Sequence, residues 1–254
     1  MGRHALGPED VIYFLHIPKT AGTSLGAILE RMFHPEEICP LPYDRFGDRV
    51  RQTPREVLAR YRLLRAHHDY SIHQLLPRKP LYVTMLREPV QRVMSLYEDI
   101  RRVPTHRLHQ VVAQKQLSVR EVLEYPGEED RLDNRQVRQI AGAIEGKAAV
   151  QGLREESLLE VAKAHLDEFA FVGLTERFRE SLTLLRYAFG WRLVGSEERL
   201  NSMPESWVRA RVSEEDLDAI VAHNRLDMEL YRYAAERFAE RLSVAFEELA
   251  EHEG

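Results

Sequence analysis

Residues 14–29, FLHIPKTAGTSLGAIL, constrain the fold of this chain more than any other stretch. The run VIYFLHI (11–17) is short, apolar and rich in β-formers, and it stops at Pro18. That length and composition predict a buried parallel strand. Leu25, Ile28, Leu29 and Met32 then recur at helical spacing, with Thr23 or Ser24 placed to cap the helix. PKTAGTS lies between. A tight loop from strand to helix converges its backbone N–H groups at the helix N-terminus, which makes an anion site. Gly22 allows close approach of the backbone to a ligand, and Thr20, Thr23 and Ser24 offer hydroxyls. Lys19 adds a point charge that can follow a developing negative charge. A Walker loop carries its lysine after its second glycine. Here the lysine comes before Gly22.

The same unit recurs downstream. LYVTMLR (81–87) reads as a strand, and Val90, Val93, Met94, Tyr97 and Ile100 give a helical stripe after Pro89. FAFVGL (169–174) is a third strand, followed by a helix from Glu176 to about Ala188. Further helices are expected over 54–65, 155–167 and, with a break, 214–248. Residues 34–53, with Pro35, Pro40, Pro42 and Gly47, read as a loop, as does 196–207. Residues 103–150 read as helical in pieces, broken at Tyr125-Pro126-Gly127. Strands alternating with helices predict an α/β fold of three layers, a central parallel sheet flanked by helices, in one domain over 1–254.

Composition narrows the partners. The chain has 254 residues and a formal net charge of −5. A nucleic-acid binder usually presents a net basic face, so that class gets no support. The single cysteine, Cys39, permits no internal disulfide and reads as core filling. No stretch reaches the ~20 apolar residues of a membrane span, and MGRHALGPED carries no signal-like apolar run. The expectation is a cytoplasmic protein without an integral membrane segment.

Arg87 leaves the C-terminal end of a strand, where open α/β sheets place ligands, and Ser95 follows eight residues on. An arginine fork and a hydroxyl suit one phosphate. HIPKTAGTS followed by LREPVQRVMSLY resembles the sulfotransferase superfamily that uses 3′-phosphoadenosine 5′-phosphosulfate. The variant is similar to its heparan-sulfate 2-O-sulfotransferase-like branch and bacterial family 2 relatives. LRAHHDYSIHQLLP, LDNRQVRQIAG, FAFVGLTERFRESLTLL and NRLDMELYRYAAERF fit that group's order.

The resemblance implies a P-loop-type fold and assigns roles. Lys19, Thr20, Ala21, Gly22, Thr23 and Ser24 would hold the 5′-phosphosulfate, with Lys19 at the oxygen bridging phosphate and sulfate. Arg87 and Ser95 would hold the 3′-phosphate. No metal is implied. A hydroxyl acceptor needs a base, and LRAHHDYSIH offers His67, His68 and His73. The branch places its base at the position of His67, with Ala66 here where the relatives have glycine; His68 is the competitor. Asn134, Arg135 and Arg138 could contact acceptor or nucleotide, or only form a solvated helix face. NSMP (201–204) falls where relatives close a loop over the nucleotide, with Arg199 the nearby cation. His16 reads as structural, and Trp191, Phe178 and Leu185 as core. The implied reaction moves a sulfuryl group to a hydroxyl of a glycan, a glycolipid or a small metabolite. A P-loop-like nucleotide kinase and a non-catalytic nucleotide- or glycan-binding relative are the alternatives. A polyanionic acceptor would call for a basic cleft, for which Arg60, Arg62, Arg65, Arg101 and Arg102 are candidates.

Overall fold

A computed structural model describes residues 4, 6–43, 45–126, 132–145, 153–191 and 212–253. Four strands form one parallel sheet: β1 (Ile12–Leu15), β2 (Leu63–Ala66), β3 (Leu81–Leu86) and β4 (Phe171–Leu174), in the order β2-β1-β3-β4. Tyr13 of β1 pairs with Leu64 on one side and Tyr82 on the other. All four β1 residues are buried, as a strand paired on both edges and covered on both faces must be.

β2 corrects the expected helix over 54–65. The helix there, α3 (Arg55–Leu58), is one turn long, and the chain then extends. Val57, Leu58, Tyr61 and Leu64 mimic a helical stripe, but pairing with β1 supplies the ladder that local spacing cannot reveal. The expected loop over 34–53 also contains more structure, a 3₁₀ turn (Pro35–Glu37) and α2 (Phe46–Gln52). The segment 196–207 lies outside the described residues.

β1 leads into α1 (Gly22–Glu30), and β3 into α4 (Pro89–Arg102). Glu88 caps α4, accepting from the backbone N–H of Val90 and Gln91, with Pro89 in the first turn. α5 (His109–Lys115), α6 (Val119–Leu123) and α10 (Glu214–His223) surround a second apolar cluster with α4, built on Val93, Met94, Ile100 and Ile220. α7 (Arg135–Ala141), α8 (Glu155–Glu168), α9 (Phe178–Phe189) and α11 (Arg225–Glu253) complete the described helices. The break expected in the last helix falls at Asn224, between α10 and α11. Phe178 and Leu185 are buried in the main core, Trp191 packs against it, and Cys39 fills it. None of the described helices is long and apolar enough to cross a membrane.

From β1 the chain moves one way to β2, and from β3 the other way to β4. The loops after β1 and β3 therefore diverge and open a crevice at the carboxyl ends of these strands. α7 lies across those ends. Gln136 exchanges two hydrogen bonds with the backbone of Arg87, accepting from its N–H at 3.0 Å and donating to its carbonyl at 2.9 Å. Gln139 Nε2 donates to the carbonyls of His16 (3.1 Å) and His67 (3.0 Å), tying the ends of β1 and β2 together.

Candidate active site

Between the diverging loops lies a cleft of about 860 Å³. One wall is the loop 18–21. Lys19 and Ala21 both take positive φ (73° and 59°), which turns the backbone sharply into α1. The N-cap residue of α1, Ala21, makes no side-chain cap, and the first turn holds no acidic residue. The helix N-terminus thus carries no negative charge to oppose an anion. Lys19, Ala21, Gly22 and Thr23 line the cleft, and Thr23 is exposed to it. Thr20 and Ser24 sit behind this wall, both buried. The Thr20 hydroxyl donates to the carbonyl of Ile17 at 2.8 Å, so it closes the loop and is not aimed at the cleft. Gly22 has a use beyond ligand approach. A Cβ there would collide with the His16 ring.

Arg87 is 4% exposed and still lines the cleft. Its Nη1 donates to the carbonyl of Lys19 at 3.1 Å, which braces the loop, and Glu176 stands 3.9 Å from its Nε. Ser95 lines the same wall from α4. Asp99, one helical turn beyond Ser95, pairs with Lys19 Nζ at 3.1 Å. These residues fit a phosphosulfate and a phosphate: a helix N-terminus with no acidic residue in its first turn, a lysine beside it, and an arginine with a hydroxyl on the neighbouring unit.

His67 follows β2 and is half-buried, lining the cleft. Its ring meets Tyr43 at 5.2 Å and His16 at 4.6 Å between centroids. His16 is stacked on Phe14 and also lines the cleft, so it belongs to the site the sequence reading placed it outside. Burial, then the charges of His67, Arg65 and Lys19, lower its pKa to about 3. It is neutral at pH 7. His68 is only 5% exposed; its Nδ1 faces the Asp69 carbonyl at 3.3 Å and the Asp69 carboxylate at 3.5 Å. Its Nε2 is buried with no hydrogen-bond partner, directed at Gly47.

Two expected contacts lie elsewhere. Asn134 is buried, and its Oδ1 accepts from the backbone N–H of Leu226 and Asp227, capping α11. Asp227 returns the favour, accepting from Gln136 and Val137 N–H at the start of α7. Arg138 points to Asp133 (3.5 Å) and Glu155 (3.7 Å), away from the cleft. The residue of this stretch that reaches the cleft wall is Arg135, whose Nε donates to Gln139 at 3.0 Å. Asp99, Tyr43 and Gln139 had no sequence motif to mark them. Only the i+4 spacing from Ser95 could have pointed to Asp99. Arg199 and residues 201–204 lie outside the described residues.

A profile described as "Sulfotransferase family" matches residues 5–141, more than half of the chain. Heparan-sulfate 6-O-sulfotransferase 1 of Homo sapiens is 29% identical over 275 residues, covering 92% of this chain and 66% of that protein. Protein-tyrosine sulfotransferase of Arabidopsis thaliana is 28% identical, covering 72% of this chain and 50% of that protein. Across the heparan-sulfate relatives the chain spans 45% to 68% of their length. A solved structure, a sulfotransferase from Alicyclobacillus acidocaldarius, is 18% identical with a TM-score of 0.39, covering 90% of this chain and 100% of that one. The profile match over more than half of the chain leads to one conclusion: this chain belongs to the sulfotransferase family.

Proposed function

We propose that the chain transfers the sulfuryl group of 3′-phosphoadenosine 5′-phosphosulfate to a hydroxyl of an acceptor, with His67 as base. The observation that carries this reading is one cleft lined by Lys19, Arg87, Ser95 and His67, with the His16 ring between Gly22 and His67. The donor's phosphosulfate lies at the N-terminus of α1 and its 3′-phosphate between Arg87 and Ser95. His67 takes the proton of the acceptor hydroxyl as its oxygen attacks sulfur in line. The bond from sulfur to the bridging oxygen breaks, and its electron pair stays on the 5′-phosphate. Lys19 stabilises that growing charge, an interaction stronger in the transition state than in the ground state.

His67 is favoured over His68 because it is half-buried, whereas His68 is only 5% exposed with its Nε2 buried against Gly47. The test pairs labelled sulfate transfer with calorimetry. The wild type is expected to bind 3′-phosphoadenosine 5′-phosphate and to bind ATP far more weakly. Lys19→Ala and His67→Ala are expected to lower kcat about 10²- to 10³-fold or more, with folding unchanged. His68→Ala is expected to retain most of it. Full turnover in Lys19→Ala would overturn the mechanism, and the reverse histidine result would move the base to His68.

A further inference from the structure

His16 stands between the two groups that the sulfuryl-transfer reading connects. It directly follows β1, and its ring is stacked on Phe14 and lines the cleft. One edge of the ring, carrying Nε2 and Cδ2, is turned to Gly22, the first residue of α1; a Cβ there would collide with both atoms. The ring also meets His67 edge-on, with centroids 4.6 Å apart. A sulfuryl group held at the start of α1 and attacked from the side of His67 therefore lies against His16. The backbone under the ring is anchored on two sides. The His16 N–H donates to the carbonyl of Ala66 at 3.0 Å, and its carbonyl accepts from Gln139 Nε2 at 3.1 Å. Such anchoring fixes a side chain well enough to act on a reacting group.

The two ring nitrogens differ. Nδ1 is buried and has no hydrogen-bond partner. Burial, with His67, Arg65 and Lys19 nearby, keeps the ring uncharged at pH 7. A neutral imidazole carries one proton, and a buried N–H without a partner is rarer than a buried lone pair without one. The proton is therefore assigned to Nε2, on the edge that faces the start of α1. A neutral donor suits this place. Lys19 serves the leaving oxygen and His67 the attacking one, so the oxygens that stay on sulfur need a donor of their own. An uncharged ring beside His67 also leaves it able to accept the hydroxyl proton, where a second cation would oppose the imidazolium that forms.

We propose that His16 is a further catalytic residue, whose Nε2–H donates a hydrogen bond to a non-bridging oxygen of the sulfuryl group and holds it in line with the acceptor hydroxyl. No proton leaves the ring. This rests on the sulfuryl-transfer reading above. The experiment needs no acceptor: calorimetry of the full chain with 3′-phosphoadenosine 5′-phosphosulfate and with 3′-phosphoadenosine 5′-phosphate, which differ by the sulfuryl group alone. His16→Asn reaches only as far as Nδ1 and loses the donor, whereas His16→Gln carries an amide N–H near the place of Nε2. His16→Asn is expected to lower the affinity for the phosphosulfate relative to the desulfated nucleotide about tenfold, with the desulfated nucleotide bound as by the wild type. His16→Gln is expected to keep the wild-type ratio within about twofold. Side-chain nitrogen NMR of the wild type supplies a readout that needs no folded variant. The His16 ring is expected to carry its proton on Nε2, and that resonance to move with the phosphosulfate but not with the desulfated nucleotide. An unchanged ratio in His16→Asn, a His16→Gln loss as large as that of His16→Asn, or a proton on Nδ1 would each overturn the proposal. A wild type that binds neither nucleotide would instead sink the sulfuryl-transfer reading, and this inference with it.

Discussion

Lys19 stands 3.1 Å from Asp99, and that contact sets the starting condition for an anionic donor. The carboxylate neutralises the charge the donor needs. An incoming phosphosulfate must compete with it, and Asp99 itself repels a multiply charged nucleotide. Asp99→Asn is therefore expected to bind 3′-phosphoadenosine 5′-phosphate about three- to tenfold more tightly at low salt, less so at high salt. Calorimetry at two ionic strengths checks this; weaker binding in the variant would mean that Asp99 presents Lys19 to the donor and does not oppose it. Gly22 makes a second residue-scale case. Its missing Cβ leaves room for the neutral His16 ring. Gly22→Ala forces one of them to move, with an expected loss of about 1–3 kcal/mol in chemical denaturation and a misplaced loop.

At the scale of elements, α7 and α11 hold each other by reciprocal caps. Asn134 caps α11 and Asp227 caps α7, and Asp227 also feels the charge of the fully buried Arg92. Burial raises the Asp227 pKa, the charge of Arg92 and the two backbone donors oppose that rise, and the residue is reached by no solvent. Asn134→Ala is expected to cost about 1–2 kcal/mol of stability while leaving donor and acceptor KM unchanged. A rise in either KM at constant stability would return Asn134 to the binding site. The neighbouring glutamines carry the consequence for function. Gln136 and Gln139 join α7 to the ends of β3, β1 and β2, so the helix holds the strand ends whose loops form the cleft.

For the whole molecule, His16 supplies a stability dependence on pH. Its folded pKa is about 3 against an ordinary 6.5, so below pH 6.5 the unfolded chain takes up the proton first. Stability is therefore full above about 6.5 and falls as pH drops towards 3, by on the order of a few kcal/mol. His16→Phe keeps an aromatic ring on Phe14 and removes that titration; urea unfolding between pH 7 and 4 should show a shallower loss than in the wild type. Equal slopes would sink the assignment. Much of this architecture was legible locally. Three strands, the helices that follow them, the Lys19 loop and the Arg87–Ser95 pair all follow from residues close in sequence, because apolar periodicity and turn residues act over a few positions. β2 was not, since four residues with an arginine among them gain their strand character only from β1. The roles of Asn134, Asp99 and Arg135 were equally hidden. Their partners lie 92, 80 and 4 residues away, and at the first two distances pairing depends on which way each crossover turns. The sequence alone thus determined the local units, a lysine-bearing strand-to-helix loop followed by a second strand and helix that carry Arg87 and Ser95. Only the tertiary structure decided the sheet order that opens the cleft between β1 and β3, and which charges line it, because long-range polar pairing is set by packing and not by local pattern.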